Sequence, residues 1–143
     1  MSNGDYRDYA EKHMPRSQVL RNMLRAFLVG GIICVIGQGL TDIFMALGVD
    51  KETAGSACSI CLIFIGAMLT GLGVYDDMAK FAGAGTLVPI TGFANSVVAP
   101  ALEFKTEGYI LGTAAKMFII SGPVIVYGIS ASVIYGVLYV LLT

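Results

Sequence analysis

The chain has 143 residues, of which 13% are charged and 56% hydrophobic, with a mean hydropathy of +0.77 and a formal net charge of −1. Too few charges are present to cover a soluble core, whose surface needs about 25–35% Lys, Arg, Glu and Asp, so lipid is the solvent that the composition selects. The near-neutral balance, without a basic stripe interleaved with aromatics, excludes nucleic acid and other polyanions as partners, and the length allows one small domain.

Charges are absent altogether from Ala26 to Thr41, Thr53 to Tyr75, Phe81 to Leu102 and Met117 to Thr143. Such runs are membrane-span candidates, because about 20 helical residues cross a hydrocarbon core of roughly 30 Å. The pattern predicts an all-α, polytopic integral membrane protein. A polar segment (1–25) precedes a membrane domain (26–143) with three full transmembrane helices, at about 26–47, 53–75 and 123–142. A broken or re-entrant hydrophobic hairpin at about 81–102 and an interfacial helix complete it.

In the polar segment Arg7, Lys12, Arg16, Arg21 and Arg25 crowd toward the first apolar run, an excess that puts the N-terminus on the cytoplasmic side. Ser17 is placed to cap a short amphipathic helix that lays Val19, Leu20, Met23 and Leu24 against the interface. His13 is assigned no ligand role. The lead is too long and too mixed in charge for a cleaved signal peptide, and the run after it ends GQGLTD without an A-x-A site, so that run is retained as a span.

Within AFLVGGIICVIGQGLT, Ala26, Gly30, Cys34 and Gln38 recur at i, i+4 and make a face of small residues ending in an amide. Gly30 and Cys34 suit close helix packing. Gln38, at depth, faces protein or water, either as interhelical glue or as pore lining. The second run, TAGSACSICLIFIGAMLTGLGVY, crosses unaided. Its Cys58 and Cys61 have C-x-x-C spacing, but no histidine or second pair for zinc and no βαβ context for redox work, so buried inert thiols are expected. Asp76 and Asp77 are adjacent and interfacial, unlike the opposed pair of an intramembrane aspartyl protease. No G-x-S-x-G or Ser/His arrangement occurs, and no enzyme activity, cofactor or metal site is expected.

FAGAGTLVPITGFANSVVAPALEF is free of charge from Phe81 to Leu102, yet broken by Gly83, Gly85, Pro89, Gly92 and Pro100 and dotted with Thr86, Thr91, Asn95 and Ser96. Peptide groups left unpaired in lipid cost several kcal/mol each, so irregular backbone at that depth must be buried in protein or face water. The segment is therefore expected to line a polar cavity through Gly83, Gly85, Thr86, Pro89, Thr91, Gly92, Asn95 and Ser96, with helix starts whose free N–H groups suit anions. A kinked span whose glycines and threonines merely pack is the other reading of the same residues. Glu103, Lys105 and Lys116 flank the segment. At a cavity mouth a lysine would attract an anion and a carboxylate a divalent cation; Lys116, inside TAAKMF, must snorkel or pair.

Gly122-Pro123 is expected to interrupt the last run, leaving an interfacial or half-inserted helix up to Ser121 and a full span from Pro123. Gly128, Ser132 and Gly136 repeat the small-residue spacing, which favours helix association within or between subunits.

AFLVGGIICVIGQGL in the first run and FAGAGTLVPITGFANSVV in the broken segment resemble the SpoVA membrane proteins of endospore-forming bacteria, of the stage V sporulation AC and AEb type. The likeness extends from near Arg25 to the C-terminus, and the polar lead looks more like the AC type than the shorter AEb type. The resemblance implies a place in the spore (forespore) inner membrane and a share in moving dipicolinic acid, largely as its calcium chelate, into the developing spore and out during germination. It implies a channel component that opens under membrane tension, with other SpoVA membrane proteins and peripheral SpoVA subunits as partners. So few helices cannot enclose a path for an aromatic dicarboxylate, so a homo- or hetero-oligomer is expected, with Gln38 and the polar face of Gly83 to Ser96 along the route. The rival expectation is a non-conducting scaffold subunit of a SpoVA complex. An ion-coupled transporter is disfavoured, because no charge lies within the apolar runs.

Overall fold

A computed structural model describes residues 18–142, so the expectations for His13, Ser17 and the charges up to Arg16 lie outside the described residues. In chain order the elements are α1 (Val19–Ala46), α2 (Lys51–Gly71), α3 (Val74–Ala82), a 3-10 turn (Gly83–Thr86), α4 (Pro89–Glu103), a second 3-10 turn (Lys105–Glu107), and a π-helical turn (Tyr109–Ala114) that continues into α5 (Ala115–Leu142). The described residues are all-helical. α1, α2 and the helix from Tyr109 to Leu142 are long and apolar enough to cross a membrane.

α1 is longer than the charge-free run that announced it. Between Val19 and Val29 there is no glycine or proline to stop a helix, so the expected interfacial helix forms the first turns of α1 instead of a separate element. At 28 residues α1 is about 42 Å long, and Arg21 and Arg25 fall within its first two turns. The chain leaves it at Gly48, whose φ of +88° suits only glycine well. Asp50 then caps α2, its carboxylate accepting from the Thr53 backbone N–H at 3.0 Å.

α2 returns antiparallel to α1. Gly37 of α1 faces Cys58 and Leu62 of α2, and the Cys58 thiol donates to the Gly37 carbonyl at 3.2 Å. Ala54, Cys58, Leu62 and Gly66, spaced one turn apart, are the buried ridge of α2. Of the three cysteines Cys58 is buried, Cys61 half-buried and Cys34 exposed, so the expected burial of the Cys58/Cys61 pair is complete only at Cys58. α3 is short and strongly two-faced: Tyr75 and Ala82 are buried, whereas Asp76, Asp77 and Lys80 are exposed. Lys80 pairs with Asp76 at 2.6 Å, and the hydrogen bond to Asp76 raises the lysine pKa from its ordinary value.

The predicted break follows α3 directly. Gly83 turns the chain at φ +54°, and Gly85 then lies flat on α1: a Cβ there would come within 2.6 Å of the Ala26 Cα. A Cβ on Gly30 would in turn be 3.2 Å from the Gly85 carbonyl oxygen. The small face Ala26/Gly30 thus receives the backbone of the 3-10 turn, not a neighbouring helix. Val88 is extended, as the residue before a proline prefers, and Pro89 opens α4 where its missing N–H leaves nothing unpaired.

α4 packs beside α2 and in the same direction, since Gly66 meets Thr91 and Ala94 while Thr70, one turn on, meets Asn95. Residues 83–103 therefore form a hairpin that dips along α1, turns at Leu87–Val88 beside Gly31 and Cys34, and returns through α4 toward the end of the bundle where α1 begins. α5 starts at that end and runs antiparallel to α4.

Gly122-Pro123 does not interrupt α5, contrary to expectation: the helix passes through Pro123 unbroken. The Ser121 hydroxyl, buried and donating to the Met117 carbonyl at 2.6 Å, keeps the preceding turn closed. From Pro123 to Leu142 every residue of α5 is exposed.

Two outcomes test this packing. Gly85→Leu should destabilise the detergent-solubilised protein by about 1–3 kcal/mol or prevent folding, because the added atoms meet backbone that cannot yield; Gly55→Ala, a helical position with open space, should leave the thermal midpoint unchanged or raised. The Thr53 hydrogen bond holds the Asp50 carboxyl below its ordinary pKa, so its contribution is complete above the ordinary value and is lost as pH falls through the folded value. Hydrogen exchange should show the Thr53 amide losing protection on acidification, and Asp50→Ala should lack that protection already at neutral pH.

Candidate functional site

The hairpin turn is closed by two hydrogen bonds to its own irregular backbone. The Tyr75 hydroxyl donates to the Thr86 carbonyl at 2.7 Å, and the Thr86 hydroxyl donates to the Gly83 carbonyl at 3.0 Å. Tyr75 and Thr86 are each only 3% exposed, so no water competes for the first bond. Gly92 lets the chain double back: its N–H donates to the Val88 carbonyl at 2.8 Å, and a Cβ there would lie 3.1 Å from the Thr86 carbonyl oxygen.

One turn further along α4 is the polar link to α2. Thr70 Oγ1 lies 2.7 Å from the Gly66 carbonyl oxygen and 2.9 Å from the Asn95 side-chain amide. The Asn95 atom at that distance is Oδ1, an acceptor like the Gly66 carbonyl, so the single hydroxyl proton serves one of the two at a time. Asn95 and Thr70 line a cavity of about 260 Å³ together with Asp76, Ala79, Ala99 and Leu102. A second crevice of about 220 Å³, between α1, α2 and α3, is apolar apart from Tyr75 and Thr91 at its wall. Thr91 Oγ1 is buried there without a hydrogen-bond partner.

The residues singled out in the sequence divide accordingly. Gly85, Thr86, Thr91 and Gly92 are packed against protein, and Asn95 is half-buried at the cavity it shares with Thr70 and Asp76. Ser96 donates to the Phe93 carbonyl on its own helix, whereas Gly83 and Pro89 are exposed at the two ends of the turn. Gln38 is not brought to the hairpin: its amide donates to Asp42 on an exposed stretch of α1 at 2.7 Å. Glu103 and Lys105 are exposed beyond α4, while the Lys116 ammonium sits 4.5 Å from the centre of the Phe104 ring, so Lys116 pairs with a π face. Gly30 packs on the hairpin, and Cys34 is exposed beside the turn. Gly128 and Gly136 meet nothing, and Ser132 bonds only the Gly128 carbonyl. Tyr75 and Thr70 were missed by sequence reasoning. The only trace of Tyr75's role is a polar-tipped aromatic at the last charge-free position before Asp76, on the apolar face of a short amphipathic helix. Among the described residues no group of His, Cys, Asp and Glu could hold a metal ion.

Three long apolar helices around an internally bonded hairpin define a helical polytopic membrane protein, without a catalytic constellation among the groups just described. A family model described as SpoVAC/SpoVAEB sporulation membrane protein matches residues 22–138. The chain is also 45% identical over 135 residues to Stage V sporulation protein AC of Bacillus subtilis (strain 168), an alignment covering 94% of this chain and 90% of that protein. The chain belongs to the SpoVAC/SpoVAEB family of sporulation membrane proteins. No solved structure matches it.

Removing only the Tyr75 hydroxyl isolates the hairpin bond. Tyr75→Phe leaves the Thr86 carbonyl buried and unpaired and should lower stability by about 1–3 kcal/mol. Denaturation in detergent measures the loss, and faster proteolysis between Gly83 and Val88 would localise it.

Proposed function

We propose that the chain is a channel subunit that passes dipicolinic acid, as its calcium chelate, across the spore inner membrane during sporulation and germination, opening under membrane tension. Its N-terminus faces the cytoplasm, and its partners are other SpoVA membrane proteins and peripheral SpoVA subunits. The observation that supports this reading best is the hairpin of residues 83–103. It returns to the end it came from, it is pinned at its turn by Tyr75, and it presents Asn95 to a cavity beside α2 that Thr70 and Asp76 also line. A segment that reaches part-way into a bilayer with its backbone satisfied by protein is the form that irregular chain takes beside an aqueous route. Gly83, exposed at the start of the turn with a φ of +54°, supplies the freedom that opening needs.

The pore is shared between subunits. From Pro123 onward every residue of α5 is exposed, and its Gly128, Ser132 and Gly136 face is free to meet another helix. In this assembly Gln38 lines the outer part of the route and Asn95 the inner part. The same unpaired helix favours the second reading, a scaffold that holds a conducting partner.

Liposomes loaded with calcium dipicolinate distinguish the two. The purified protein should release solute, faster under hypo-osmotic tension. Asn95→Leu and Gln38→Leu should each slow release by about tenfold, equivalent to roughly 1.4 kcal/mol on the barrier, with the thermal midpoint followed in parallel. Normal release from both variants would remove them from the route, and silent wild-type liposomes would favour the scaffold.

A further inference from the structure

Two surface cavities on α1 share the residues Ala26 and Ala84 and so adjoin end to end along the helix as the upper and lower parts of one groove. The upper part, of about 410 Å³, lies between the first turns of α1 and the end of α3 and includes Asn22, Arg25, Lys80 and Gly83. The lower part, of about 430 Å³, descends past Gly30, Gly31 and Cys34 on one side and Leu87 and Val88 on the other, and includes no charged residue. The groove therefore changes from cationic to apolar along its length. Val19 to Cys34 covers about 22 Å of helix, against roughly 15 Å for half of the hydrocarbon core plus a headgroup zone.

The charge balance at the mouth is set by Arg25. Lys80 is neutralised by Asp76 and Asp77. The Arg25 guanidinium instead lies 4.6 Å from the centre of the Phe81 ring and meets no carboxylate among the described residues. Stacking leaves its N–H fork available, and such a fork matches a phosphate. Below it a Cβ on Gly31 would meet nothing within 4 Å, which leaves room for a flexible hydrocarbon chain along the helix.

We propose that this groove is a binding site for one anionic phospholipid, its phosphate at Arg25 and one acyl chain running down past Gly31 and Cys34. The lipid lies against Ala84, Gly85, Leu87 and Val88, so it covers the outer side of the hairpin turn whose inner side is held by Tyr75. The inference rests on the groove alone and stands whether or not the chain conducts.

Native mass spectrometry and thermal shift on the full chain in mild detergent test it, with phosphatidylglycerol, phosphatidylcholine of the same chain length, and inorganic phosphate as probes. Wild type should bind one phosphatidylglycerol at least about tenfold more tightly than phosphatidylcholine and should not respond to millimolar phosphate. Arg25→Gln should abolish the preference between the lipids, with Arg25→Lys retaining part of it. Gly31→Leu, which fills the lower groove without touching the mouth, should weaken both lipids. Equal affinity for the two lipids in wild type, or saturation by inorganic phosphate alone, would overturn the proposal. So would a Gly31→Leu variant that keeps its lipid affinity but changes oligomeric state, since the groove would then seat a second copy of the chain.

Discussion

A buried carbonyl that leaves a helix has to find a donor within the protein, because no water reaches it. The Thr86 carbonyl finds it in the hydroxyl of Tyr75, supplied by the short helix immediately before the turn. The rest of the arrangement depends on that bond. It permits an irregular turn between Gly83 and Val88, the turn permits α4 to run back beside α2, and α4 supplies the surface on which the first part of α5 packs. In water such a bond would contribute little net stability, whereas here its loss leaves a polar group with no alternative.

The second constraint is proximity. Helices in lipid gain no hydrophobic drive from meeting each other, so packing depends on how closely they approach. The hairpin uses this principle with backbone in place of a helix: Gly85 lies directly on Ala26, and Gly30 leaves room for its carbonyl. Gly66 does the same for Thr91 on the other side of the bundle. These glycines are placed by contact geometry and not by the need for an unusual φ, in contrast to Gly83.

Much of this architecture was legible in the sequence. Charge-free runs long enough to cross a bilayer have few alternatives, and the glycines and prolines of residues 83–92 announced a break where the 3-10 turn and the start of α4 now lie. Two boundaries were not legible. The first turns of α1 carry arginines, which read as a separate interfacial helix, yet helix continuity depends on the absence of breakers and not on polarity. Pro123 read as a stop, but a helix in lipid cannot readily release the carbonyls that breaking would expose, so the chain gives up one hydrogen bond and continues. The candidate site was legible as a stretch and not as a set of contacts. Asn95 could be picked out as an amide in an apolar run, but its partner Thr70 lies 25 residues away on another helix, and Gln38 belongs to a different level of the bundle altogether.

The return of the hairpin to its own end has a topological outcome. An element that enters and leaves by one end of the bundle adds no full pass to those of the long apolar helices, and it delivers the chain to α5 at the end where α1 begins. The arginine-bearing first turns of α1 and the first turns of α5 therefore share one end of the bundle, so a factor that grips the one lies beside the other.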